Sequence, residues 1–446
     1  MNILDTFLKD LKWEDIPQEV IQRTKMLTLD LLGTAIAATQ TPLATIIRDY
    51  SLEVYGVGDG AASASLMFDG RSVSLPGAAL VGGMTIDALD AHDGHRLTKG
   101  HVGCALLPAL LAVLEGANKE LTGQEFLRLM VAGYEIGSRA GIALHSSVPD
   151  YHTSGAWNAI TCAALGAHLL ELDNEQFEHA IGIAEYHGPR SQMMRGVDHP
   201  TMLKDGSGWG AMAGVSAALM AQKGFTGAPA LTVVAEDVAH VWRDLGQYWH
   251  VMDQYIKGFP VCRWAQPAVC GALAIREKYD LKASDIDSVK VNTFHEAIRL
   301  NQNVPDDTEQ AQYAISFPIA AALVRGEVGV PEISTDAFKD EDILSIHHKI
   351  TLKEAEKYND LFPQERWADV EVTMCDGTVL ASGEVTAKGD PETQFSDKEI
   401  VGKYYWLTKG AASEAHIQAI YDAVLPLNEP NSSLRPLLNL LHKKVS

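Results

Sequence analysis

Between about residues 15 and 265, apolar positions recur every three or four residues, carried by Ala, Leu and Met and interrupted by short joints of Gly, Asp and Thr. That spacing sets the apolar side chains on one stripe of a helix, and it predicts helix after helix. TGQEFLRLMVAGYEIGSRAGIAL and DNEQFEHAIGIAEYHG read as successive members of a bundle. Each is entered through capping-box spacing, Thr122 with Glu125 in the first and Asp173 with Gln176 in the second. Their many Ala and Gly residues predict close helix contacts and burial on several sides. The pattern changes after about Gln266. VKVNTF (289–294) reads as a strand, and WADVEVTMCDGTVLASGEVT (367–386) alternates apolar and polar positions around Asp376-Gly377, a hairpin turn signal. The expected fold class is therefore mostly α: a large all-helical domain over 1–265, a smaller α+β domain over 266–398, and C-terminal helices over 399–446 that rejoin the helical body.

Composition narrows the function. The 446 residues are 46% hydrophobic and 21% charged, which fits a chain that folds throughout, in two domains. A net charge of −22 opposes binding to nucleic acid or to an anionic membrane surface. An anionic substrate then requires a local island of positive potential. The N-terminal MNILDTFLKDLKWEDIPQEV carries acids among its first residues and reads as a first helix, unlike a signal peptide. No apolar run approaches the roughly 20 residues that span a bilayer. Five scattered cysteines without a CxxC pair fit a reducing cytoplasm and argue against structural zinc.

Three stretches share one arrangement. His101 precedes CALLPALLAVLEGA, Tyr151 and His152 precede AWNAITCAALGAHLLEL, and Lys204 precedes WGAMAGVSAALMAQKG. In each, a side chain able to carry positive charge stands before a helix whose first turn offers unpaired N–H groups to an anionic oxygen. Three together suit a di- or tricarboxylate, whereas any one alone is ordinary capping. A fourth stretch, KGFPVCRW, supplies Lys257 and Arg263 where the helical region gives way to the mixed one, a preferred place for a ligand cleft or for a plain hinge. The segment DAHDGHRLTKGH also contains Asp90, His92, Asp93 and His95, chemically suitable metal ligands, but no second ligand set accompanies them. GxxxxGK[ST], strand-linked GxGxxG, GxSxG and HExxH are all missing, which removes the usual support for nucleotide chemistry, serine hydrolysis and zinc proteolysis.

Taken in order, DAHDGHRLTKGHVG, YHTSGAW, TMLKDGSGWGAMAGVSAALMAQKGFTGAPAL, KGFPVCRWAQP and AQYAISFPIAAALVRG resemble the MmgE/PrpD family, whose members include 2-methylcitrate dehydratase, cis-aconitate decarboxylase and iminodisuccinate epimerase. The resemblance implies an enzyme without cofactor or metal and a helical domain built from both chain ends. It also implies an α+β lid, a homodimer, and a site where the domains meet. By motif it points to Asp93, Thr98, His101, His152, Lys204 and Lys257. The chain departs from the family pattern at Ser207 and Gln266, where histidines are common, and at Phe317, where a tyrosine is common; Ser207 and Gln266 then stand at substrate-contacting positions. The chemistry shared by these relatives is formation and quenching of a carbanion beside a carboxylate, with Lys204, Lys257 and the helix N-termini neutralising the acid. His101 and His152 exchange protons, and Asp93 orients His101 and favours its charged form. The expected activity is a dehydratase-like lyase on a small hydroxy-di- or tricarboxylate. An epimerase using Tyr151 and His152 as two proton carriers, and a decarboxylase, are the alternatives; a helical binding protein without activity is the rival outside this chemistry.

Overall fold

The computed structural model describes residues 2–279 and 281–445. It is mostly α, with a large helical domain and a smaller α+β domain. Both capping boxes form. The Thr122 hydroxyl accepts the amide of Glu125 at 3.1 Å, and the Glu125 carboxylate accepts that of Thr122 at 2.9 Å. Asp173 and Gln176 open the Asn174–His187 helix in the same way.

The helices richest in Ala and Gly lie deepest. Gly155–Leu169 and Ser207–Gln222 pack on each other at the centre of the body, and their glycines set the spacing. A Cβ on Gly210 would lie 2.4 Å from the carbonyl oxygen of Gly155, and one on Gly83 would lie 2.5 Å from the Cα of Gly208. No larger residue fits those crossings. The close approach brings the starts of the two helices together, so that the Gly155 amide donates to the carbonyl of Asp205 at 3.1 Å.

In the smaller domain a four-stranded sheet runs Ile350–Glu354, Ile286–Thr293, Trp367–Met374, Val379–Thr386 in space; the first pair is parallel and the others antiparallel. The predicted hairpin turns through Gly377, at φ +87°. Helices Gln266–Lys278 and Ser316–Arg325 pack with this sheet around a second hydrophobic core. The chain's final helices pack into the first core: Ile400, Tyr404, Ile417 and Ile420 are buried there. Asp397–Thr408 lies along Gln18–Ala38, and its Lys403 reaches Asp30 at 2.7 Å and the carbonyl of Ala91 at 2.6 Å. Among the described residues, no helix is long and apolar enough to cross a membrane.

A two-stranded ladder carries the most functional weight. Gly94 and His95 pair with Tyr255 and Gln254, which ties the ionisable loop of residues 90–101 to the segment leading into Lys257 and Arg263.

Candidate active site

Where these segments meet, a cavity encloses about 620 Å³ of space, mouth included. Its polar wall carries Asp90, Arg96, Lys99, His101 and Asp205 from the first half of the chain, and Tyr255, Lys257, Arg263, Tyr313 and Arg366 from the second. Met193, Trp264 and Phe362 supply apolar surface. Five cationic side chains thus face two carboxyl groups inside a chain of net charge −22. The island of positive potential that an anionic substrate requires is present.

Four of these five cations are held by carboxylate partners, Arg96 by Glu392 at the surface. Lys257 Nζ donates to Asp90 at 2.5 Å, both side chains being almost fully buried. Burial works against the Lys257 charge, but Asp90 outweighs it and holds the lysine's pKa above the ordinary value. Burial likewise opposes ionisation of Asp90, and Lys257 with Lys204 overcomes it, so the carboxylate stays ionised. Asp390 serves two guanidiniums, Arg263 at 2.8 Å and Arg366 at 3.2 Å, and both stand 5.3 Å from the ring centre of Tyr255. One carboxylate against two arginines leaves positive charge directed at the cavity. Lys99, in a left-handed conformation at φ +49°, has no carboxylate partner among the described residues; its ammonium lies 3.8 Å from the centre of the Tyr151 ring.

His101 is the reactive group the geometry defines best. Its Nδ1 donates to the backbone carbonyl of Asp93, which accepts and cannot donate, so the neutral ring carries its proton there and leaves the Nε2 lone pair free. Nε2 lies 3.6 Å from Asp205 Oδ2. Burial, then the charges of Lys257 and His92, hold the His101 pKa well below the ordinary imidazole value. Burial and the neighbouring Asp87 push the Asp205 carboxyl the other way, up to about 7. A neutral base therefore stands beside a neutral acid.

The expected site residues divide. His101, Lys257 and Arg263 line one cavity. Lys204 stands just behind the wall, donating to Gln312 Oε1 at 2.7 Å and lying 4.9 Å from the ring centre of Tyr313; the same Gln312 oxygen accepts the amide of Asp90 at 2.8 Å. Tyr151 lies off the wall and meets it through two lining residues, its ring under the Lys99 ammonium and its carbonyl accepting the amide of Met193 at 2.8 Å; His152 also lies off the wall, its amide donating to His145 Nε2 at 3.0 Å. Thr98 closes its own loop by donating to the carbonyl of His95 at 3.2 Å. Gln266 knits the KGFPVCRW segment together, accepting from Arg263 at 3.1 Å and donating to the carbonyls of Phe259 and Val261. Ser207 is buried away from the cavity, and Phe317 packs edge-on to Phe338 in the second core.

Two expectations change. Asp93 orients His101 through its backbone carbonyl, while its carboxyl accepts the hydroxyl of Tyr134, and His101 is held neutral where the charged form was expected. The helix starts do converge, but their first amides are already used. Gly103 donates to the Asp93 carboxyl, Ser207 to that of Asp87 at 3.2 Å, and Gly155 to the Asp205 carbonyl. Buried acids occupy the positive ends of two of these dipoles and a backbone carbonyl the third, so side-chain cations are left to meet the substrate. The four residues considered as metal ligands point to different partners: Asp90 to Lys257, Asp93 to Tyr134, His92 to Asp87 at 3.5 Å, and His95 toward Asp253 at 3.8 Å.

Sequence reasoning passed over Asp205, Tyr255, Tyr313, Arg96, Lys99 and Arg366 as site residues. Arg96 and Lys99 lie inside DAHDGHRLTKGH, and Asp205 adjoins Lys204, so proximity to a chosen residue was a usable signal. Arg366, in a loop before a strand, carried none.

Comparison with known proteins agrees with this architecture. The MmgE/PrpD N-terminal domain matches residues 2–241, and the MmgE/PrpD C-terminal domain matches residues 259–427. The chain is 24% identical over 493 residues to the cis-aconitate decarboxylase-like protein oryM of Aspergillus oryzae, covering 98% of this chain and 96% of that one. It is 22% identical to cis-aconitate decarboxylase of Aspergillus terreus, over 97% and 94% of the two chains, and 23% identical to that of Homo sapiens, over 90% and 85%. A helical domain, a smaller α+β domain and a cationic cavity between chain segments that both domain matches cover agree with one assignment: the protein belongs to the MmgE/PrpD family.

Proposed function

We propose that the protein is a lyase that forms and quenches a carbanion next to a carboxylate of a small di- or tricarboxylate. One observation carries the reading: five cationic side chains and a neutral imidazole line a single buried cavity in a strongly acidic chain. A C–H bond beside a carboxylate is weakly acidic because the carboxylate's own charge opposes a second negative charge. Lys257, Arg263, Arg366 and Lys99 offset that charge, and His101 Nε2 supplies a base at the same place. In dehydration His101 takes the α-proton as the β-hydroxyl leaves. Decarboxylation is the second reading, favoured by the similarity to the cis-aconitate decarboxylases of Aspergillus terreus and Homo sapiens. With Tyr151 and His152 off the wall, the epimerase reading lacks the phenol and imidazole pair that motivated it.

Proton NMR of the enzyme with a panel of hydroxy- and unsaturated di- and tricarboxylates, cis-aconitate included, tests this. New vinyl signals with the carbon count retained identify dehydration, and loss of a carboxyl group as carbon dioxide identifies decarboxylation. His101→Ala is expected to lower either turnover at least about a hundredfold, the lower range for removing a general acid or base. Retained turnover in a folded His101→Ala protein, or no turnover of any acid by the wild type, contradicts the proposal.

A further inference from the structure

Resting on that lyase reading, we propose that Asp205 is a catalytic residue, the general acid that works opposite His101. Three contacts place it. Its carboxyl lines the cavity, and Oδ2 lies 3.6 Å from His101 Nε2. Ser154 Oγ donates to the same oxygen at 2.7 Å. Ser154 Oγ in turn accepts the amide of His101 at 2.9 Å, so a single hydroxyl fixes the acid relative to the base. All three residues are at most about a tenth exposed, and the starts of three helices hold them there.

The charges around Asp205 explain why it keeps its proton. After burial, Asp87 and Asp90 disfavour its ionised form, while the Ser154 donor and Lys257 favour it; the former prevail. Tyr313 and Cys262, also facing this group, are themselves held neutral by burial. Cys104, also near this group, is held neutral by burial, and His101 is neutral as well.

The proton balance closes. In dehydration His101 Nε2 takes the α-proton, and the C–H electron pair becomes the new C=C bond. The C–O bond breaks as Asp205 passes its proton to the departing hydroxyl, which leaves as water. The imidazolium and carboxylate then face each other, and one proton crossing from Nε2 to Oδ2 restores both. In decarboxylation the Asp205 proton goes instead to the carbon that carbon dioxide has left with its electron pair, and solvent replaces it.

Because the acid acts in its protonated form, wild-type kcat is expected to fall as pH rises through about 7. Asp205→Asn should lower kcat at least about a hundredfold with KM changed less than about threefold, and the basic limb of the pH profile should disappear. Ser154→Ala keeps the carboxyl but removes a donor to its ionised form, so the limb should move to higher pH. That second variant decides the matter should Asp205→Asn fail to fold. Wild-type turnover combined with a kcat for Asp205→Asn within about threefold of it, or with a limb unmoved in Ser154→Ala, overturns the role of Asp205 and leaves the lyase reading standing. A wild type that turns over no carboxylate overturns the lyase reading itself.

Discussion

At the scale of single residues, most of the charges in the site are held by specific partners, and the partners set the cost of change. Replacing Lys257 with alanine leaves the Asp90 carboxylate buried without its counter-ion, a loss of about 3–5 kcal/mol. Asp90→Asn combined with Lys257→Met should cost less than Lys257→Ala alone, because no unpaired charge remains; chemical denaturation of the three proteins checks the order. Asp205 makes a separate prediction about pH. Its folded pKa, raised from 3.8 to about 7, means that between those values the unfolded chain releases a proton the folded one keeps. Its contribution to stability is complete below about pH 4 and is lost as pH rises through 7. Thermal melts should therefore show Asp205→Asn gaining on the wild type between pH 5 and pH 8, whereas a pH-independent gap would refute the shift. His101 was legible in the sequence because it stands just before a helix of small residues, and Lys257 because a basic stretch marks the change from helical to mixed pattern. Asp205 was harder to read, since its chemistry comes from Asp87 and Ser154, each distant in the chain.

Among the elements, glycine-set helix crossings place the acid and the base. Gly155–Leu169 carries Ser154 at its start, Ser207–Gln222 follows Asp205, and their separation is fixed where Gly210 meets Gly155. Gly210→Ala would push a methyl group into backbone that cannot yield without moving both helix starts. It is expected to destabilise by about 1–3 kcal/mol and to lower turnover as well, measured by denaturant melts and steady-state assay. A neutral effect on both would mean that the crossing does not position the site. Local chemistry made these elements readable: both capping boxes and the Asp376-Gly377 hairpin formed as predicted. The strand Ile350–Glu354 was not predicted, because it lies at the sheet edge with mostly exposed side chains and carries little apolar alternation. The helix starts were legible as elements, while the use of their amides by Asp87 and Asp93 depends on tertiary contacts that no local pattern records.

For the whole molecule, the important fact is uneven charge. A chain of −22 gathers Arg96, Lys99, Lys257, Arg263 and Arg366, spread across 271 positions of sequence (366 minus 96, counted inclusively), around one cavity. The need for such an island followed from net charge and an anionic substrate together; its location followed only from folding. Since the carboxylates among the suggested metal ligands are engaged by Lys257 and Tyr134, dialysis against EDTA should leave turnover unchanged, and a loss restored by added metal would contradict that. The most direct test of the cavity itself is calorimetric titration with tricarballylate, a saturated tricarboxylate with no hydroxyl to eliminate. One ion should bind per chain, and Arg366→Met should weaken binding about ten- to a hundredfold, the loss of a charged hydrogen bond, while Lys223→Met on the exposed end of a helix leaves it unchanged. Absent binding, or binding indifferent to Arg366, would contradict the claim that this cavity grips a polyanionic acid.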